Sequence, residues 1–249
     1  MDKRLIKTSK KASLRQGFSL IESLISLSLF LFVVIASLEF FISSRDHFLM
    51  LKDEQEKDIA IFAGMDKMRI DILDCGRGLL SAQSLGIIAG VESSGGTLTV
   101  RAVGKEMHLL CDLVAGQTRI TVQSTSGIAK GQEICICDDI RGEAQEILSV
   151  DNQSFMISSP LKFAYSQQET KVLSIEKVSF SLDQKSHILR RRVNSSPAQP
   201  LLEEVEDVHF SYEGASNLVE ATLKMTEGKE YAITVFPKNL GLVPAQETF

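Results

Sequence analysis

The chain is poor in the residues that most often carry catalysis and metal binding. Its histidines number four, His47, His108, His187 and His209, and none stands at a metal-ligand or catalytic-triad spacing from another. There is no glycine-rich phosphate loop and no G-x-S-x-G elbow. These absences leave no catalytic residue, cofactor or metal to assign, and the expectation is a non-enzymatic protein. Dense basic clusters are also scarce. Beyond residue 17 there is one, Arg190-Arg191-Arg192. Three consecutive residues in a strand divide between its two faces, so solvated surface is preferred here to a grip on DNA, lipid or an acidic partner.

Two further absences define the N-terminal third. Between residues 18 and 38 only Glu22 is charged, and from residue 40 to residue 74 there is no proline and a single glycine, Gly64. A bilayer core needs about 20 apolar residues at a rise of about 1.5 Å each, so 18–38 is long enough to cross one as a helix. The next stretch keeps a helical period but alternates with charge. Phe41, Phe48, Leu51, Ile59, Phe62, Met65 and Ile72 recur near that period, separated by Lys52, Glu54, Lys57 and Asp66. Residues 18–75 therefore read as one helix, transmembrane over 18–38 and amphipathic over 39–75, roughly 87 Å long if unbroken. Glu39 marks the outer interface, Gly76 and Gly78 are the stop signals, and Ile59 to Ile72 are expected to pack on a globular head.

What precedes the apolar run is basic. Residues 1–17 hold Lys3, Arg4, Lys7, Lys10, Lys11 and Arg15 against Asp2, so losing them would take the net charge from −5 to −10. Positive charge before an apolar helix keeps that end in the cytoplasm and sends the rest outside. A mature chain so acidic argues against nucleic-acid binding, which needs a basic surface. The small residue that would serve a peptidase, Gly17, lies before the apolar run, whereas a secretory signal is cut after it. Cutting after Gly17 would leave the helix on the mature protein, with Phe18 as its first residue and Glu22 as its fifth. A carboxylate at that depth is costly unless paired and points to function. The simpler reading is that Glu22 suits the positive end of the helix dipole.

Lys10-Lys11, Arg15-Gln16-Gly17 and Phe18-Ser19-Leu20-Ile21-Glu22-Ser23-Leu24 resemble the class III signal of type IV prepilins and of the pseudopilins of type II secretion. The resemblance implies that a prepilin peptidase cleaves between Gly17 and Phe18 and methylates the Phe18 amine. It also implies that Glu22 pairs with the Phe18 amine of a neighbouring subunit during assembly.

From residue 79 onward the helical pattern gives way to short β-rich runs. Strands are expected over 97–103, 107–113, 119–123, 133–138, 146–150, 154–158, 171–182, 187–193, 205–212, 219–225 and 230–236, with turns at Ser93-Ser94-Gly95-Gly96, Asp151-Asn152, Asn194-Ser195-Ser196-Pro197 and Glu227-Gly228. Val208, Phe210 and Tyr212 alternate with His209 and Ser211, as in a sheet with one buried face. The expected class is α+β: a long N-terminal helix packed on a mainly antiparallel β head over 76–249, with a possible inserted β module about 117–164. The helix exit Met68-Arg69-Ile70-Asp71-Ile72-Leu73-Asp74-Cys75-Gly76, the run Ile188-Leu189-Arg190-Arg191 and the run from Leu201 to Tyr212 resemble minor pilins of the PilW type. Cys75 departs from the Ala-Gly common at that exit.

Cys75, Cys111, Cys135 and Cys137 make an even count for an oxidising compartment, and three complete pairings are possible. A bond between Cys135 and Cys137 would be strained, so a disulfide from Cys111 to one of them is the expectation. A metal or redox site is the competing reading, for which C-x-C without a second pair or a nearby histidine is weak support.

The resemblance implies a minor pilin, non-enzymatic, that primes or caps assembly of a type IV pilus. Its partners would be the prepilin peptidase, other major and minor pilin subunits and the inner-membrane assembly platform. It would be stored as a single-pass protein of the cytoplasmic membrane with its head outside, then pass to the filament, at its tip. The alternatives are a minor pseudopilin of a type II secretion system and, in another class, an uncleaved membrane-anchored extracytoplasmic binding or enzymatic domain.

Overall fold

A computed structural model describes residues 19–240. The chain divides into two compact units, Met1–Asp58 and Ile59–Phe249. Helix α1, Leu20–Asp74, contributes residues to both.

The described part of the first unit is helical from Leu20 onward. Its start has a stated chemical cause: the Ser19 hydroxyl accepts from the Ile21 N–H at 3.4 Å, and the Glu22 carboxylate accepts from the Ser19 N–H at 3.0 Å. This S-x-x-E arrangement satisfies helix-end donors that have no partner within the helix. Serines inside the apolar run return their hydroxyls to the backbone, Ser28 to the Ile25 carbonyl at 2.9 Å and Ser37 to the Val33 carbonyl at 2.7 Å. Each of these two donors is thereby paired within the helix rather than left facing hydrocarbon. Among the described residues this is the one helix long and apolar enough to cross a membrane, and none of its most apolar window is buried.

The second unit is α+β. After the end of α1 comes the short helix α2, Leu80–Ser84, and then, among the described residues, twelve strands: β1 Val91–Ser94, β2 Thr97–Met107, β3 Arg119–Thr121, β4 Glu133–Cys137, β5 Gly142–Val150, β6 Ser154–Ile157, β7 Lys171–Asp183, β8 Ile188–Val193, β9 Gln199–Leu202, β10 Val205–Glu213, β11 Leu218–Met225 and β12 Glu230–Val235. Every pairing is antiparallel. A nine-stranded sheet runs β1-β2-β7-β4-β5-β6-β3, with β8 joined to β7 and β9 to β8, while β10-β11-β12 form a second sheet. Strand β7 organises the larger sheet. One edge pairs with β2, and the other is shared, with β4 beside Lys171–Ser174 and β8 beside Val178–Asp183.

Three apolar clusters hold the unit together. In the first, Ile61, Met65, Met68 and Ile72 of α1 pack with Leu98, Phe180 and Leu189 of the large sheet and with Val208, Phe210 and Leu223 of the small one. The sequence stripe through Ile59 and Phe62 is corrected here, because both side chains are exposed and the buried row runs through Ile61, Gly64, Met65, Met68 and Ile72. Gly64 is the reason. A Cβ at that position would stand 2.5 Å from Leu202 Cδ2, so only glycine lets β9 approach the helix so closely. The helix ends where Gly76 takes φ +79° and its N–H donates to the Arg101 carbonyl at 2.7 Å.

The second cluster gathers Ile120, Ile134, Ile147 and Phe155 from the stretch expected as an inserted module together with Met107, Leu109, Leu113, Tyr165 and Val172 from outside it. Strand β4 hydrogen-bonds this stretch into the main sheet through β7. The expected strand over 107–113 is not continuous: β2 ends at Met107, and Leu109 and Leu113 make only isolated bridges to Val122 and Tyr165. The third cluster places Leu79, Ala82 and Ile88 against Cys135, Cys137, Leu173 and Ile175.

Candidate functional site

The residues singled out by sequence fall at the start of α1, at its exit and among the cysteines. Gly17 and Phe18 lie outside the described residues. Glu22 lies in the first turn of α1, exposed, its carboxylate turned back onto the Ser19 N–H. The capping geometry accounts for a carboxylate or carboxamide at this position, but not for a charge. Around it Leu20, Ile21, Leu24 and Ile25 are exposed. The helix surface beside Glu22 is thus apolar and uncovered, which water does not favour and lipid or another apolar helix does.

At the exit of α1 the sequence pattern concealed a specific bond. Arg191 donates to Asp71 through Nε at 2.6 Å and Nη2 at 3.1 Å, with side-chain exposures of 17% and 9%. Lys67 adds a contact to Asp71 at 3.2 Å. The expectation of a solvated Arg190-Arg191-Arg192 run is therefore corrected for its middle member. Pleating sends Arg191 to the helix side, whereas Arg190 pairs with Asp183 at 3.2 Å and Arg192 is exposed. A single inward arginine at the centre of a three-arginine run, opposite an aspartate of the helix exit, is the sequence signal that could have found this link.

The four cysteines are free thiols. Cys111 is exposed on the stretch after β2, while Cys135 and Cys137 are buried on one face of β4 beneath α2. The expected disulfide from Cys111 to Cys135 or Cys137 is thus not formed here. Hydrogen bonding to Cys137, reinforced by burial, raises the Cys135 thiol above its ordinary range. Cys75, buried just past the end of α1, is raised to about 12, by burial first and by the Asp74 charge second. Buried and held protonated, Cys75 and Cys135 are poor nucleophiles and poor metal ligands. Among the described residues no group of three or more His, Cys, Asp or Glu is placed to hold a metal ion.

Fold and site together define an α+β protein with one N-terminal helix fit to cross a membrane. No family model and no curated protein matches the chain. Two solved structures overlap part of it. They are the Gp54 tailspike of Acinetobacter baumannii bacteriophage AP22, at 23% identity and TM-score 0.27 over 30% of this chain and 15% of that one, and the tailspike protein gp49 from Pseudomonas phage LKA1, at 23% identity and TM-score 0.24 over 29% and 15%. The aligned stretch spans a small fraction of either tailspike, and similarity at this level establishes neither fold nor function.

Proposed function

We propose that the chain is a subunit of a type IV pilin-like filament, a minor pilin of the PilW type that primes or caps assembly and performs no catalysis itself. One observation carries the reading: an apolar helix, uncovered along its membrane-length window, begins at Leu20, two residues past the sequence Arg15-Gln16-Gly17-Phe18, and bears a single carboxylate, Glu22, in its first turn. Stored in a membrane, this helix is solvated by lipid; withdrawn into a filament, it is solvated by the helices of other subunits. Glu22 is the one group along residues 18–38 whose charge could choose a partner, and the free amine of Phe18 on a neighbour is the complementary charge. In this reading a prepilin peptidase generates that amine by cutting after Gly17.

The test separates capping from pairing. Gly17→Glu blocks the cut, and normally shortened protein in that variant would sink the assignment. Glu22→Gln keeps an acceptor for the Ser19 N–H and removes the charge. The proposal expects Glu22→Gln to be processed yet to enter filaments as poorly as Glu22→Ala, whereas wild-type incorporation of Glu22→Gln would reduce Glu22 to a helix cap. Loss of twitching or DNA uptake in a deletion strain assigns the subunit to a pilus. Loss of exoprotein release assigns it to a type II secretion system.

A further inference from the structure

Where β4 and β8 part from β7, the large sheet forks. The backbone of Ile175–Lys177 loses its neighbouring strand there, and side chains complete its bonding: Gln132 Nε2 donates to the Ile175 carbonyl at 3.4 Å, and the Lys177 N–H donates to Asn194 Oδ1 at 2.8 Å. Ser195 Oγ donates to the Lys130 carbonyl at 3.2 Å and so ties the two branches together. Over the fork lies an open trough of about 850 Å³. Its floor is a row of hydroxyls set by strand register, with Thr99 opposite Ser179 and Thr97 opposite Ser181. Arg192, opposite Ser179 on β8, Lys177 on β7 and Lys162 on the loop after β6 supply its positive charge.

These three cations converge on one trough in a chain of net charge −5. Eleven ion pairs among the described residues join arginines and lysines elsewhere to carboxylates; the charged ends of Lys162, Lys177 and Arg192 have no carboxylate within ion-pairing distance among the described residues. Of the two carboxylates in the lining, Glu133 is already held by Arg101 at 3.2 Å, which leaves Glu146 alone against three cations.

We infer that this trough binds an anionic oligosaccharide, one whose sugar units carry carboxylate or sulfate groups. The lining chooses among polyanions. An extended peptide would be recognised through a free strand edge, but the floor here is a sheet face whose backbone is already bonded. Single-stranded nucleic acid would be held by stacking on aromatic rings, and no residue lining the trough is aromatic. Rows of hydroxyls between separated cations match a ligand that alternates hydroxyls with anionic groups, each anion gaining a charge-assisted hydrogen bond from Arg192 or a lysine. The site depends on the head alone and stands whether or not the chain enters a filament.

The test is calorimetric titration of the detergent-solubilised full chain with a short oligogalacturonate, its fully methyl-esterified counterpart, an oligoglutamate and a single-stranded DNA oligomer. The expected result is saturable binding of oligogalacturonate that weakens as salt rises, with no binding of the uncharged ester. Arg192→Ala and Lys177→Ala should each weaken it about tenfold, as loss of one charged hydrogen bond implies. Lys162→Ala, on a loop outside the strands, repeats the test should either of those variants lower the melting temperature. No binding of oligogalacturonate, equal binding by the three variants, or equal binding of oligoglutamate or DNA would overturn the inference.

Discussion

Replacing Asp71 is the most informative perturbation of the fold, because one carboxylate fastens the last turns of α1 to β8. The carboxylate receives two hydrogen bonds from Arg191 at 2.6 and 3.1 Å, with side chains only 17% and 9% exposed. Removing one member of a fully buried pair costs about 3–5 kcal/mol, mostly by leaving the other charge desolvated. Arg191 retains some contact with water, so Asp71→Ala should cost less, about 2–3 kcal/mol. Arg191→Met keeps the packing of the arginine stem and leaves Asp71 its contact with Lys67 at 3.2 Å, so about 1–2 kcal/mol is expected. The double variant has no stranded charge and should be scarcely worse than Asp71→Ala, a coupling of about 1–2 kcal/mol. Urea unfolding of the detergent-solubilised full chain gives these values by linear extrapolation. It can be followed by near-ultraviolet circular dichroism of Tyr165, Tyr212 and Tyr231, since the chain has no tryptophan. The reasoning fails if the two single effects add to within about 0.3 kcal/mol, or if half-molar salt abolishes the coupling, as it would for a solvated pair.

Other consequences are as specific. Gly64→Val places side-chain atoms against Leu202 and the Leu201 carbonyl, so a loss of about 1–3 kcal/mol is expected; an unchanged melting temperature would show that β9 does not need the close approach. The Cys75 thiol is raised from 9.0 to about 12 in the fold, so folding favours its protonated form. Its contribution is fully present below about pH 9 and is lost as pH rises toward 12. The stability gap between wild type and Cys75→Ala should therefore be constant below pH 9 and narrow above it, and a gap that widens with pH contradicts the assignment. In the reduced, native protein Cys111 should alkylate readily while Cys75, Cys135 and Cys137 resist until denaturant is added; rapid labelling of all four would show that the cysteines called buried here are open.

What the sequence revealed and what it hid follow from the range of the forces involved. The apolar run and its lone carboxylate are local facts, and Gly76 and Gly78 end the helix by conformational freedom alone, so α1 was readable almost to its boundaries. Strands β11 and β12 alternate more and less buried residues, and β10 does so beyond its bulge, so they too were readable. Strand β1 was not, because in Val-Glu-Ser-Ser only Val91 is buried and pairing with β2 supplies the order. Strand β9 carries Pro200, which an edge strand bonded only to β8 tolerates. The buried stripe of α1 was misphased because Phe62 outweighs Gly64 in any apolar pattern, although the glycine marks the contact. The split of the three arginines among helix, Asp183 and trough depends on partners up to 120 residues away in sequence. No local pattern encodes that.

The central claim, that this helix belongs to a processed filament subunit, is tested most directly by the mass of the N-terminal peptide of protein purified from the membrane of its native host. The account predicts a chain that begins at Phe18 and carries one additional methyl group. A chain beginning at Met1 or Asp2 would mean that the leader is retained, that no Phe18 amine exists to pair with Glu22, and that the protein is a membrane-anchored domain instead.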